Sequence, residues 1–138
     1  MDSLMGKPAV VLGLGVDLIE IERIRQALEA KSGKRFERRV FTEGEIAYCR
    51  SKADPYPHFA ARFAAKEAVL KAFGTGWTAK VFWKGIEICN NELGRPFIAF
   101  HGKTEELAGE IGVETCHISI SHNRSQAVAV ALLLGKTD

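Results

Sequence analysis

Cysteine is scarce in this chain, and Cys49, Cys89 and Cys116 are odd in number, far apart and without a CxxC pair. That excludes a disulfide frame or a zinc knuckle, and the three read as buried, reduced thiols of a cytosolic protein. No apolar run is long enough to span a bilayer, and the short run 9–14 lacks the cleavage-site context of a signal peptide. The expectation is a soluble, cytoplasmic chain with no membrane partner. Neither sign of charge dominates: 19 Lys and Arg face 17 Asp and Glu, for a net charge of +2. A nucleic-acid binder relying on a broad positive field is thereby disfavoured. Several catalytic motifs are missing as well. There is no GxxxxGK[ST] and no HExxH, and Gly13 and Gly15 open a dinucleotide fingerprint whose third glycine never comes. Ser119 and Ser121 adjoin His122, but neither sits in a GxSxG elbow, so a nucleophilic triad is set aside.

What is present is an ordinary globular composition over 138 residues, enough for one domain spanning 1–138 with a modest core. Branched apolar residues over 10–19 predict a buried strand, weakened at Gly15 just before Asp17. Ile21, Ile24, Ala27 and Leu28 recur at helical spacing, which predicts a helix to about residue 30 that Gly33 ends. Thr42 with Glu45 has the form of a capping box opening a short helix. After Pro55 and Pro57, a long helix is expected over 58–73, stopped by Gly74-Thr75-Gly76. Strand patterns at 86–89 and 96–100 flank a polar, Gly-containing turn and predict a hairpin. A helix over 103–111 and strands at 116–122 and 127–134 complete the chain. The pattern predicts an α+β fold, a mostly antiparallel sheet packed against the long helix.

The chemistry concentrates in residues 63–72, where a carboxylate and two ammonium groups interrupt an alanine-rich helix. Glu67 and Lys71, four residues apart, project from one face, flanked by Ala60, Ala64 and Ala68, small enough to admit a ligand closely. The plain alternative is an intrahelical ion pair on a solvated face. Asp17, at the end of the first strand, offers a second carboxylate, or a cap for the helix that follows. Two carboxylates suit Mg²⁺, which keeps several waters and completes its octahedron with substrate phosphate oxygens. Lys66 and His122 are further candidate partners for a phosphate, with a structural role as the alternative for His122.

Taken together, Gly15-Val16-Asp17, Phe63-Ala64-Ala65-Lys66-Glu67-Ala68-Val69-Leu70-Lys71-Ala72 and Ser119-Ile120-Ser121-His122 resemble the signatures of the holo-acyl-carrier-protein synthases, the small 4′-phosphopantetheinyl transferases. The resemblance covers nearly the whole chain in order and spacing. It implies the 4′-phosphopantetheinyl transferase fold and transfer of the phosphopantetheine arm of coenzyme A to a serine of apo acyl carrier protein, in support of fatty acid biosynthesis. It also implies Asp17 and Glu67 as Mg²⁺ ligands and Lys71 as a phosphate-facing group, with Asp17, Glu67 and Lys71 as the catalytic set. Lys66, Gly74, Gly76 and His122, with Lys71, match positions near the coenzyme. A third acidic ligand of the larger relatives has no match after Asp17. Carrier proteins served by this family are acidic, and residues 23–39 are rich in Arg and Lys, so Arg23, Arg35 and Phe36 are the expected carrier anchors. The small synthases are typically homotrimers with shared active sites, and a homotrimer is expected here.

Two other function classes compete. One is a phosphate-ligand or carrier-binding module without turnover, against which Asp17, Glu67 and Lys71 together argue. The other is a Mg²⁺-dependent pyrophosphatase acting on a nucleotide, which would have little use for the basic segment 23–39.

Overall fold

The computed structural model describes residues 8–76, 78 and 81–136. The chain opens with strand β1 (Ala9–Glu20) and three short helices, α1 (Ile21–Glu29), α2 (Gly33–Val40) and α3 (Glu43–Arg50). The long helix α4 (Tyr56–Phe73) follows, then a 3₁₀ turn (Trp83–Gly85) and the hairpin β2 (Ile86–Asn90) and β3 (Pro96–Phe100). Helix α5 (Gly102–Glu110) leads to β4 (Thr115–His122) and β5 (Gln126–Lys136). All strand pairings are antiparallel, in a three-stranded sheet of order β1-β5-β4 and a separate β2-β3 hairpin. The α+β expectation holds, with two sheets where one was expected.

Helix α4 is buried on almost every side, which suits a segment apolar all round. Pro57 lies in its first turn, where the absent N–H is no loss, and Gly74 ends it in the left-handed region at φ 76°. One half of the core gathers Ala64, Ala68 and Ala72 of α4 with Ala129, Ala131 and Leu133 of β5. The other half sets Phe59 and Ala60 against Ile24, Val40 and Phe41.

The approach of β1 to α4 is unusually close. A Cβ at Gly13 would lie 1.9 Å from the Ala72 carbonyl oxygen, and one at Gly15 1.9 Å from that of Ala68. Only glycine fits at either position. Gly15 therefore serves strand–helix contact, and the alanines opposite serve it too. Ala60, Ala64 and Ala68 are fully buried, which corrects their reading as an open face for a ligand.

Gly33 does not end α1, which stops at Glu29; it begins α2. A Cβ there would meet the Leu28 carbonyl oxygen at 1.9 Å, so the glycine permits the tight junction between the two helices. Of the cysteines only Cys49 is fully buried; Cys89 and Cys116 are partly exposed, and all three are free. Among the described residues no helix is long and apolar enough to cross a membrane.

The two faces of β1 differ sharply. Gly13, Gly15 and Asp17 face α4, while Leu14, Val16 and Leu18 are 65%, 55% and 60% exposed on the outer side. Val130 on β5, paired with Val16, extends this uncovered apolar surface.

Candidate active site

The close contact of β1 with α4 brings the separated sequence motifs together. Lys71 Nζ donates to the Val16 carbonyl at 3.0 Å and to Asp17 Oδ1 at 3.1 Å. Asp17, Glu67 and Lys71 line one cleft of about 520 Å³, joined by Arg23, Phe36 and Phe63. Two carboxylates and two cations thus share a recess with an aromatic wall. Asp17 is mostly covered, its side chain 16% exposed, whereas Lys71 is 52% exposed and reaches solvent.

This donor set fits Mg²⁺. The ion takes hard oxygen ligands, accepts one or two protein carboxylates and leaves the rest of its octahedron to water and phosphate. Asp17 and Glu67 supply that number of carboxylates in one cleft. Among the described residues no group of three or more His, Cys, Asp or Glu is placed to hold a metal. A groove of similar size between β3 and β4 is lined by Arg95, His117 and Ser119 and by no carboxylate, so it lacks the chemistry of a metal centre.

Gly74 and Gly76 follow Lys71 at the end of α4 with φ of 76° and 70°. Nothing lies within 4 Å of a Cβ built on either, so their backbone is open to a ligand. Arg23 and Phe36 lie in the cleft, but Arg35 does not. It lines a separate basic dish with Lys31, Lys34, Arg38 and Arg39.

Lys66 is not at the cleft, which corrects its reading as a coenzyme contact. Its side chain is 0% exposed, and its ammonium donates to Trp83 O at 2.7 Å and Ile86 O at 2.5 Å and pairs with Glu45 Oε1 at 2.8 Å. Burial pushes its pKa below the usual lysine value, opposed by the neighbouring Glu45 charge. Glu45 is the N3 residue of the capping box, which forms as expected. Its second role, with Oε2 accepting from Ile88 N at 2.9 Å, escaped the sequence reading because it depends on a partner 43 residues away.

His122 also stands apart from the cleft. It pairs with Ala127, which pairs with Ile19, so β5 separates it from β1 by two strand spacings, about 10 Å. Its ring packs edge-on against His58 with centroids 6.0 Å apart. Burial, with the Lys52, His122 and Arg62 charges, holds His58 below the ordinary histidine value. Arg62, also missed, is 4% exposed, lies over the Tyr48 ring at 4.0 Å and donates to Asn90 Oδ1. The only available signal was its place in the apolar run of α4.

The sequence pattern of the 4′-phosphopantetheinyl transferase superfamily matches residues 13–131. The chain belongs to that superfamily. A holo-acyl-carrier-protein synthase of Koribacter versatilis is 44% identical over 124 residues, covering 90% of this chain and 98% of the relative. The crystal structure of the synthase from Neisseria meningitidis superposes with a TM-score of 0.83 at 29% identity, covering 90% of this chain and 98% of that one. The synthase of Bacillus anthracis, solved in complex with CoA (3′,5′-ADP), gives a TM-score of 0.75 at 32% identity over 91% and 98% of the two chains. The fold is that of these transferases.

Proposed function

We propose that the chain transfers the 4′-phosphopantetheine arm of coenzyme A to a serine of apo acyl carrier protein, releasing adenosine 3′,5′-bisphosphate, in the cytoplasm and in support of fatty acid biosynthesis. The observation that carries the reading is the assembly of Asp17, Glu67 and Lys71 in one cleft. Asp17 and Glu67 would hold Mg²⁺, which when bound neutralises charge on the coenzyme A pyrophosphate. The serine oxygen attacks the phosphorus bearing the pantetheine arm, and the bond to the bisphosphate oxygen breaks. Such transfer demands mainly positioning and charge stabilisation.

Lys71 supplies stabilisation. Two of its three N–H groups are engaged by Val16 O and Asp17, and the third serves an oxygen of the departing bisphosphate. The serine proton passes to Glu67 or to a water beside it. Gly74 and Gly76 offer open backbone near the same phosphates. Arg23 and Phe36 receive the acidic carrier in the cleft, and the dish containing Arg35 extends the basic surface that attracts it.

A homotrimer with shared sites accords with two observations. The outer face of Leu14, Val16, Leu18 and Val130 is a patch of the kind that subunit contacts cover. His122, two strands from Asp17, suits a coenzyme site completed by a neighbouring protomer. Leu14→Glu is expected to dissociate the assembly in sedimentation, and a monomeric wild type would remove the trimer from the proposal. Co-assembly of inactive Glu67→Gln and His122→Ala chains is expected to restore part of the activity if sites are shared.

The deciding experiment is intact-mass measurement of apo acyl carrier protein after incubation with this chain, coenzyme A and Mg²⁺. The expected result is a carrier heavier by one phosphopantetheine, with none gained when Mg²⁺ is chelated. A carrier of unchanged mass in the complete mixture defeats the proposal.

A further inference from the structure

The Glu45–Lys66 pair lies in the core beside the cleft and has no part in the chemistry proposed above. Such a pair in the core needs a reason. A buried ion pair loses so much hydration that well-packed apolar residues of similar volume often match or exceed its stability. Directed hydrogen bonds are what apolar residues cannot supply, and here none is wasted. Lys66 spends its three donors on Trp83 O, Ile86 O and Glu45 Oε1. Glu45 Oε1 also accepts from Thr42 N at 2.8 Å, and its Oε2 accepts from Ile88 N. The node therefore ties the start of α3, the middle of α4, the 3₁₀ turn and the first strand of the hairpin into one register.

What this register holds is the tryptophan of the turn. The Trp83 ring stacks on Phe63 with centroids 5.0 Å apart and an interplanar angle of 28°. Phe63 lies 6.3 Å from Phe36 at 30°, and both phenylalanines line the cleft with Asp17 and Glu67. Trp83 itself lines a different recess, with Arg39, Phe82 and Lys84, so it backs the cleft wall from behind. We infer that Lys66 and Glu45 are positioning residues that fix the Trp83 main chain and so set the aromatic wall of Phe63 and Phe36 against which the protein co-substrate is seated. This rests on the transferase reading above. A displacement of about 1 Å in such a wall is enough to cost on the order of 10²-fold in rate.

The test uses a Trp77→Phe parent, which leaves Trp83 as the sole tryptophan of the two in the chain. In this parent, Lys66→Met with Glu45→Leu removes the pair at nearly constant volume. With the fold verified by circular dichroism, the Trp83 emission is expected to shift to longer wavelength and its acrylamide quenching to rise about 2-fold. The carrier KM is expected to rise about 10-fold, while the coenzyme A KM stays within about 2-fold. Parental emission and parental carrier KM in the folded double variant would overturn the inference.

Should the double variant not fold, Trp83→Leu keeps the ion pair, because Trp83 meets Lys66 through its carbonyl, and deletes only the backing ring. It is expected to reproduce the rise in carrier KM, and Trp83→Phe to restore it; an unchanged KM in Trp83→Leu overturns the inference as well. A parent that modifies no carrier defeats the transferase reading instead. The fluorescence comparison still tests the link from Lys66 to Trp83 in that case, and an unchanged emission breaks it.

Discussion

Lys66 and Lys71 leave the same helix five residues apart, about 140° around its axis, and each meets a carboxylate. Lys66 is sealed against Glu45 with both side chains at 0% exposure, while Lys71 reaches Asp17 with half its surface in solvent. The contact is similar, and burial decides what it can do. Each donor of Lys66 and each carboxylate oxygen of Glu45 has a fixed partner, so the pair acts as a fastener. At the cleft the ammonium is open to water and can turn toward a phosphate without leaving a charge stranded. One helix thus carries a sealed cation on its inner side and a solvent-facing one on its outer side.

The contrast can be broken from either side, beginning with the largest effect. Glu67→Gln removes a charge from the cleft at constant shape and is expected to lower kcat about 10²- to 10³-fold with an unchanged circular dichroism spectrum. Full activity would take Glu67 out of the site. Next, Lys66→Ala leaves the Glu45 carboxylate buried and uncompensated, at a cost of about 3–5 kcal/mol read from urea unfolding. Lys71→Ala should change stability by no more than about 1 kcal/mol while lowering kcat. Equal stability losses in the two variants would erase the distinction.

Smaller effects sharpen the picture of the surface. Arg23→Glu, inside the cleft, is expected to raise the carrier KM by about 10-fold. Arg35→Glu, in the neighbouring dish, should raise it a few-fold and mostly at low salt, as for a steering charge. An unchanged carrier KM in both refutes the docking surface.

The smallest effect concerns acid. Partial burial tends to raise the Glu87 pKa, but hydrogen bonds with Thr42 and His101 outweigh it and hold the carboxyl below its ordinary 4.5. A carboxyl with a depressed folded pKa contributes stability that is present above the unfolded value and lost as pH falls through the folded one. His101→Ala should therefore lower stability slightly near neutrality, with the difference fading below pH 4.5. A difference that persists in acid would show that the contact with the Glu87 carboxylate is not its source.

Much of this could be read from the residues. Branched runs, the Thr42 capping box, the Gly74 stop and the hairpin turn are local signals, and each element formed within a few residues of expectation. Helix α2 was missed because charged Lys34, Arg35, Glu37, Arg38 and Arg39 surround only Phe36 and Val40 as apolar positions, and its leading Gly33 reads as a terminator. Lys66 was misjudged because a lysine next to Glu67 looks functional until Glu45 is seen to share its burial. His122 joined the other signatures in the sequence yet lies across β5 from the strand that carries Asp17. A motif reports which groups a site needs, whereas burial and strand order decide which of them one chain brings together.

The contact at Gly13 and Gly15 bears on tolerance. Asp17 follows the point where strand backbone rests on helix backbone, with no side chain between. The gap between β1 and the helix that carries Glu67 is therefore gauged by main chain, whose dimensions are set by covalent geometry. No rotamer change at that contact can widen or narrow it.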